Sequence, residues 1–152
     1  MAGPIRGGCY LASTAAAVAG SGQPAKKVPL DTLHTGFPYT LALSSNSLVV
    51  RGTGPIVIAA QCSMPSGATC TAQLRINGNT VATGGTALAS SVGFVYLGAR
   101  DGDLLTLWET DNGNGVVHKV ASGPTVTFIT YEVYGPGSRG STTPAIQRAS
   151  LY

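Results

Sequence analysis

Polar and apolar residues alternate with a period of two over much of residues 47–134. In residues 71–76 every even-numbered side chain is apolar and every odd-numbered one is polar, which is the pattern of a strand with one buried face. Residues 56–62 form an almost continuous apolar run, as expected of a strand that is covered on both faces. Asn77-Gly78 follows the alternating segment and is typical of a type I′ hairpin turn. The pattern therefore predicts a chain of β-strands.

Further strands are predicted where Val, Ile, Thr and aromatic residues cluster between turns rich in Gly, Pro, Asn and Asp. The predicted strands are 39–43, 47–51, 56–62, 71–76, 80–82, 91–97, 104–109, 116–121 and 125–134. They recur at roughly ten-residue intervals, which favours a sandwich or barrel of antiparallel strands. We therefore predict an all-β fold, with an antiparallel β-sandwich as its architecture.

The strand pattern divides the chain into three parts. Residues 1–36 have no clear period and are rich in Gly, Ala, Ser and Pro, so we predict an extended N-terminal arm. Residues 37–134 form the sandwich, and residues 135–152 lose the pattern and are predicted to be a C-terminal tail. An arm of this composition gains order only against a partner, and Tyr10 and Leu11 are its predicted anchors.

Composition indicates a surface that contacts other protein. Of the 152 residues, 43% are hydrophobic and only 10% are charged, against about 25% charged in an average soluble protein. The net charge of +3 comes from scattered residues rather than from the clustered basic face of a nucleic-acid-binding protein. No apolar stretch approaches the roughly 18–20 residues that cross a bilayer. We therefore expect neither a nucleic-acid nor a membrane partner. Secretion stays open as an alternative, because Ala17-Val18-Ala19 imitates a signal-peptidase site.

The ionizable residues do not form a catalytic set. His34 and His118 lie far apart in sequence, and there is no G-x-S-x-G motif. Asp101 and Asp103 flank Gly102 and are better explained as turn formers than as a catalytic carboxylate pair. Residues 111–115 offer oxygen ligands, but glycines stand where an EF-hand loop needs side-chain oxygens. We predict no catalytic residue, cofactor or metal.

Three cysteines and one tryptophan leave alternatives open. Cys62 and Cys70 flank a seven-residue segment, so their sulfurs either come within bridging distance or remain as two reduced thiols. Trp108 is either a core or sheet-face residue or a platform on which a sugar stacks.

Four motifs, taken in order, resemble the jelly roll of the tumour necrosis factor and complement globular-head superfamily. They are the strand, glycine turn and strand of 47–60, the L-x-x-N-G hairpin of 74–78, the glycine-aspartate step of 97–107 and the closing strand 126–129. Pro55-Ile56 departs from the pattern, since the family often has aromatic residues there. The resemblance implies jelly-roll topology and a homotrimer with one sheet facing the threefold axis.

Residues 125–134 are predicted to supply assembly contacts. Alternation puts Ile129, Tyr131 and Val133 on one face of this strand, and both of its faces are largely apolar. We predict that these three side chains contact a second copy, and the alternative is that they belong to the core.

A small jelly roll with an arm and no catalytic set also resembles the virion components of tailed bacteriophages, such as minor tail, tail-tip or fibre and capsid decoration proteins. The functional hypothesis is a non-enzymatic structural protein of a virion assembled in the host cytoplasm, with itself and capsid or tail proteins as partners. The alternative is an adhesion module that binds a host receptor or glycan, at a phage tail tip or on a secreted bacterial protein.

Overall fold

The computed structural model describes residues 6–12, 24–34, 43–65, 68–111 and 119–134. This part of the chain is built from strands. They are β1 (Arg6–Tyr10), β2 (Lys26–Lys27), β3 (Thr32–Leu33), β4 (Leu43–Ser44), β5 (Ser47–Val49), β6 (Gly54–Ser63), β7 (Cys70–Ile76), β8 (Asn79–Thr83), β9 (Ala89–Ala99), β10 (Leu104–Asp111) and β11 (Phe128–Val133). The described residues include no helix long and apolar enough to cross a membrane.

The strands form two antiparallel sheets. The first has five strands in the order β3-β1-β11-β6-β9, and the second has six, in the order β4-β5-β10-β7-β8 with β2 also paired to β10. Their apolar inner faces meet in one core. The prediction of an all-β antiparallel sandwich with jelly-roll topology is confirmed.

Turn chemistry agrees with the sequence at two hairpins. Asn77 and Gly78 have φ values of 50° and 87°, as a type I′ turn requires, and they join β7 to β8. Ser45 and Asn46, at 50° and 62°, join β4 to β5 in the same manner. The strand predicted from residue 125 begins at Phe128, because residues 124–126 form a turn in which the Val126 N–H donates to the Gly123 carbonyl at 3.1 Å.

The described part of residues 1–36 belongs to the sandwich, which corrects the prediction of a separate arm. β1 pairs with β11 along its whole length and with β3 on its other side. Four apolar side chains of the segment are at most 1% exposed and lie in the core, namely Cys9, Leu11, Val28 and Leu30. The predicted strands 39–43 and 116–121 lie mostly outside the described residues, and the predicted tail 135–152 lies wholly outside them.

β1 shows no apolar alternation in the sequence because it contains glycine where an apolar side chain would be expected. Gly7 is directly opposite Tyr131 in the β1–β11 ladder, and a Cβ added to it would lie 2.3 Å from a ring carbon of Tyr131. The missing side chain therefore provides the space that the tyrosine ring occupies. The strand needs no apolar residue at this position because Tyr131 fills the core there.

Tyr131 also joins the two sheets. Its hydroxyl accepts a hydrogen bond from the Arg51 N–H at 2.8 Å and lies 3.4 Å from the Val49 carbonyl, to which it donates. Val49 ends β5 in the opposite sheet. Burial raises the pKa of Tyr131 above its ordinary value, and the Arg51 amide only partly offsets this.

β6 is covered on one face in the single chain, not on both as its apolar run predicted. Its even-numbered residues 56–62 are at most 2% exposed, whereas Val57 on the opposite face is 41% exposed. Among the described residues, therefore, no second sheet covers the outer face of β6 at Val57.

Replacing Gly7 with alanine should destabilise the fold, because the Tyr131 ring is held by its hydroxyl hydrogen bonds and cannot move aside freely. We expect a loss of about 1–3 kcal/mol of unfolding free energy, typical of overpacking, measured by urea denaturation. Gly98→Ala is the matched control, since a Cβ there meets nothing within 4 Å. Equal stability of the two variants would contradict the packing role of Gly7.

Candidate assembly surface

The outer face of the five-stranded sheet carries a row of exposed apolar side chains on β6 and β9. Val57 and Val95 are directly opposite each other on β6 and β9, and they are 41% and 56% exposed. Leu97, two residues further along β9, is 60% exposed. Ala59 and Gly93 continue the same pair of strands with small side chains. Apolar groups that are exposed side by side on a regular surface favour contact with another protein.

Charge on this face is nearly balanced. Arg6 and Glu132 are opposite each other on β1 and β11, and their Nε and Oε1 atoms lie 3.6 Å apart. Both side chains are partly exposed, so the pair contributes only about 0.2–1 kcal/mol to stability. Covering this ion pair would still cost desolvation energy, so the apolar residues around it have to supply the favourable part of any association.

A shallow depression of about 340 Å³ opens on this face beside the ion pair. Its lining residues come from β1, β6, β11 and the position after β11. They are Arg6, Val57, Ala59, Thr130, Tyr131, Glu132 and Tyr134. Burial raises the pKa of Tyr134 above its ordinary value, and the Glu132 carboxylate raises it further. The lining combines the apolar side chains of Val57 and Ala59 with polar and charged ones, a mixture that is compatible with contact to a second protein.

The structure places most of the predicted assembly contacts elsewhere. Ile129, Tyr131 and Val133 are at most 2% exposed and point into the core, so the prediction that they contact a second copy needs correction. The residues of β11 on the outer face are the alternate ones, including Thr130 and Glu132. Because Thr130 and Glu132 are polar, the alternation in β11 marks the other face as the buried one, and the prediction erred in assigning that face to a second copy rather than to the core.

Of the two predicted anchors, only Tyr10 offers accessible surface. It is half-buried and makes an edge-on ring contact with His34, with ring centroids 5.3 Å apart. Leu11 is 1% exposed and packs in the core. Sequence reasoning also missed Val95 and Leu97, although alternation over residues 91–97 was a usable signal for them.

Asp103 organises one end of the sandwich. Its carboxylate accepts hydrogen bonds from Asn77 Nδ2 at 3.0 Å, the Tyr96 hydroxyl at 3.1 Å and the Arg100 N–H at 2.9 Å. Burial raises the pKa of Asp103, but these hydrogen bonds, that of Asn77 foremost, outweigh it and leave the pKa below its ordinary value.

Asp101 has a matching role nearby. It accepts from the Gly52 N–H at 2.9 Å and from Arg51 at 3.2 Å. The interpretation of both aspartates as turn formers is confirmed, since their oxygens hold the turns that connect the strands.

The other candidate groups are not gathered into a reactive site. His34 lies 3.4 Å from the Pro124 carbonyl through Nε2, while His118 and residues 112–115 lie outside the described residues. In the part of the chain that the structure describes, no cluster of three or more His, Cys, Asp or Glu side chains could hold a metal ion.

Trp108 lies on the outer face of the six-stranded sheet. The Arg75 guanidinium carbon stands 3.8 Å from the centre of its ring, and the indole N–H donates to Thr106 at 2.9 Å. Gln73 and Lys27 are its neighbours on the two adjacent strands. The side chain is half-buried, so it is a sheet-face residue rather than a core residue.

The two antiparallel sheets define the chain as a jelly-roll β-sandwich. Among solved structures, the chain is similar to Eiger TNF from S. frugiperda, with a TM-score of 0.55 and 15% identity over 87% of this chain and 93% of that one. It is also similar to murine APRIL at pH 5.0, with a TM-score of 0.54 and 13% identity over 84% and 98% of the two chains. No protein-family model and no curated protein sequence matches the chain. At these identities the likeness concerns the fold alone.

The hydrogen bonds of Asp103 should make stability depend on pH. Because its pKa is lower in the folded protein, the contribution is present above the unfolded value of about 3.9 and is lost as the pH falls through the folded value. We expect Asp103→Asn to be less stable than wild type at pH 7, with the gap in melting temperature narrowing between about pH 5 and pH 2. Thr83→Asn, at an exposed position, is the control. A gap that is constant with pH would contradict this account.

Proposed function

We propose that this chain is a non-enzymatic structural module of a bacteriophage virion and that it associates with copies of itself through the outer face of the five-stranded sheet. The exposed row formed by Val57, Val95 and Leu97 carries the proposal, because it is apolar and bordered by small side chains. Three copies is the number that the jelly-roll resemblance implies. The symmetric arrangement would bury the same face in each copy.

The energetics favour association over the whole face. Full burial of one Val or Leu side chain gives about 1.5–3 kcal/mol, so burying the exposed parts of these three gives a few kcal/mol per chain. Association costs at least about 4 kcal/mol in lost translational and rotational freedom. The exposed row therefore needs the surrounding small residues and the depression at Arg6 and Glu132 to be covered as well.

Composition supports placement in a virion. A chain with 10% charged residues has few groups that keep it apart from other protein, and a virion component contacts protein on several sides. The further partners in this proposal are capsid or tail proteins, and assembly takes place in the host cytoplasm. Since Leu11 is buried in the sandwich, Tyr10 is the anchor that we retain for such a contact.

Leu97→Asp should dissociate the self-associated form, because it places a charge in the middle of the buried face. We expect the mass measured by light scattering after gel filtration to fall from that of a trimer to that of a single chain, with the melting curve still cooperative. Thr83→Asp adds the same charge on the other sheet and should leave the trimer intact.

The same pair of variants tests the virion assignment. In purified phage particles, immunolabelled wild-type chain and Thr83→Asp should be incorporated, and Leu97→Asp should be absent. A monomeric wild-type chain would refute the assembly surface. If the chain forms a trimer but is missing from particles, the assembly surface is supported and the virion role is refuted.

An adhesion module is the second candidate, and the outer face of the six-stranded sheet favours it. Trp108 and Arg75 form a rigid aromatic and cationic pair, and Lys27 adds a second cation beside them. A planar side chain flanked by hydrogen-bond donors is suited to a saccharide that carries an acidic group.

Trp108→Ala should abolish retention on arrays of acidic glycans if this candidate is correct, since it removes the ring that holds the Arg75 guanidinium in place for an acidic group. Wild-type chain is expected to bind with saturation. Leu97→Asp, altered on the opposite sheet, should keep the saccharide affinity of one chain, because its Trp108 and Arg75 are unchanged. Absence of any wild-type signal on the array and on host cells would exclude the adhesion role.

A further inference from the structure

Two cysteines meet where the chain passes from one sheet to the other. Cys62 lies near the end of β6 in the five-stranded sheet, and Cys70 is the first residue of β7 in the six-stranded sheet. Both side chains belong to the core and are 0% exposed. Their strands contribute inward-facing residues from opposite sides of the sandwich, so the two sulfur atoms face each other across the sheet boundary.

The contact between them is direct. Cys70 Sγ donates to the Cys62 carbonyl at 3.2 Å, and the Cys70 side chain is close enough to shift the pKa of the Cys62 thiol. A disulfide requires its Cβ atoms to lie about 3.8 Å apart, and the 3.2 Å contact between the Cys70 sulfur and the Cys62 carbonyl places the two residues close enough to reach that spacing with a small shift of the backbone. Both cysteines, together with Cys9, are thiols in this structure.

We propose that Cys62 and Cys70 are a redox-active pair that closes to an intersheet disulfide when the chain folds in the presence of a low-molecular-weight disulfide. One cysteine thiolate attacks a sulfur of the oxidant, which forms a mixed disulfide and releases one small thiolate. The second cysteine thiolate attacks the protein sulfur of that mixed disulfide and releases the other small thiolate. The protein thus loses two hydrogen atoms, and the oxidant is reduced to two small thiols.

The closed fold keeps this reaction slow. The side-chain interaction with Cys70 and burial raise the pKa of the Cys62 thiol far above its ordinary value, and the negative charge of Glu109 raises it further. Since the thiolate is the reactive form, the pair is inert to an oxidant once β6 and β7 are packed. The disulfide therefore forms during folding, before the two sheets close, or during a later opening of this corner.

Cys9 supplies an internal comparison. It is equally buried, but it lies on β1 and burial raises its pKa to about 12. The groups that shift its pKa besides burial are the Ile129 backbone and the Asp31 carboxylate, not another cysteine. The third thiol should therefore remain reduced while the other two are linked.

The test is to unfold the full chain and to refold it in a buffer of oxidised and reduced glutathione, in parallel with a fully reducing buffer. After denaturation and alkylation, the first sample should carry one alkyl group, on Cys9, and its unlabelled mass should be lower by two hydrogen atoms. Its melting temperature should exceed that of the reduced sample by about 5–10 °C. Cys9→Ser should keep the mass change, and Cys62→Ser or Cys70→Ser should lose it.

The wild-type result tests the proposal by itself, even if a serine variant fails to fold. Three alkylated cysteines after oxidative refolding, a lasting glutathione adduct or a bridge that includes Cys9 would each overturn the proposal. A linked form that melts below the reduced one would overturn it as well, because the geometry would then be strained. When folded reduced chain is exposed to oxidised glutathione, we expect the linkage to form at least 10-fold more slowly than during refolding.

Discussion

The Tyr131 side chain is the contact on which the arrangement of the two sheets depends. It starts from β11 in the middle of the five-stranded sheet, crosses the space left by Gly7 and reaches the backbone at the end of β5 in the other sheet. A phenol hydroxyl buried without a partner would cost free energy, so its bond to the Arg51 N–H also fixes how far apart the sheets stand at this end. β1 can join the sheet only because Gly7 has no side chain.

The two faces of the five-stranded sheet differ in what covers them. The inner face packs on the second sheet, whereas the outer face shows Val57, Val95 and Leu97 with little charge around them. In a larger domain a layer of helices or another sheet would cover such a surface. In this chain a second copy is the simplest cover, and the assembly proposal follows from that physical constraint.

Sequence reasoning reached the fold because most of its signals were local. Asn77-Gly78 required positive φ values, and alternation over residues 71–76 required one buried face. It failed at β1, because Gly7 leaves a space there that Tyr131 fills. The two residues are more than a hundred positions apart in sequence, so no local pattern links them. It also assigned the inner face of β11 to a second copy, although the polar residues Thr130 and Glu132 mark the opposite face as the exposed one.

The candidate surface was harder to predict than the strands for the same reason. Val95 and Leu97 stand on β9, at one edge of the sheet, and their exposure depends on strand order rather than on their own neighbours in sequence. Low charge indicated that some face contacts protein. Only the pairing of β6 with β9 showed which side chains form it.

The placement of Trp108 gives this chain an intrinsic optical reporter. It is the only tryptophan in the sequence, and the Arg75 guanidinium is stacked on its ring. It lies on the six-stranded sheet, on the side of the sandwich away from Val57, Val95 and Leu97. Its emission should change when that sheet loses its packing and stay constant when copies join through the other sheet. Fluorescence can therefore distinguish unfolding from assembly in one sample, without a label.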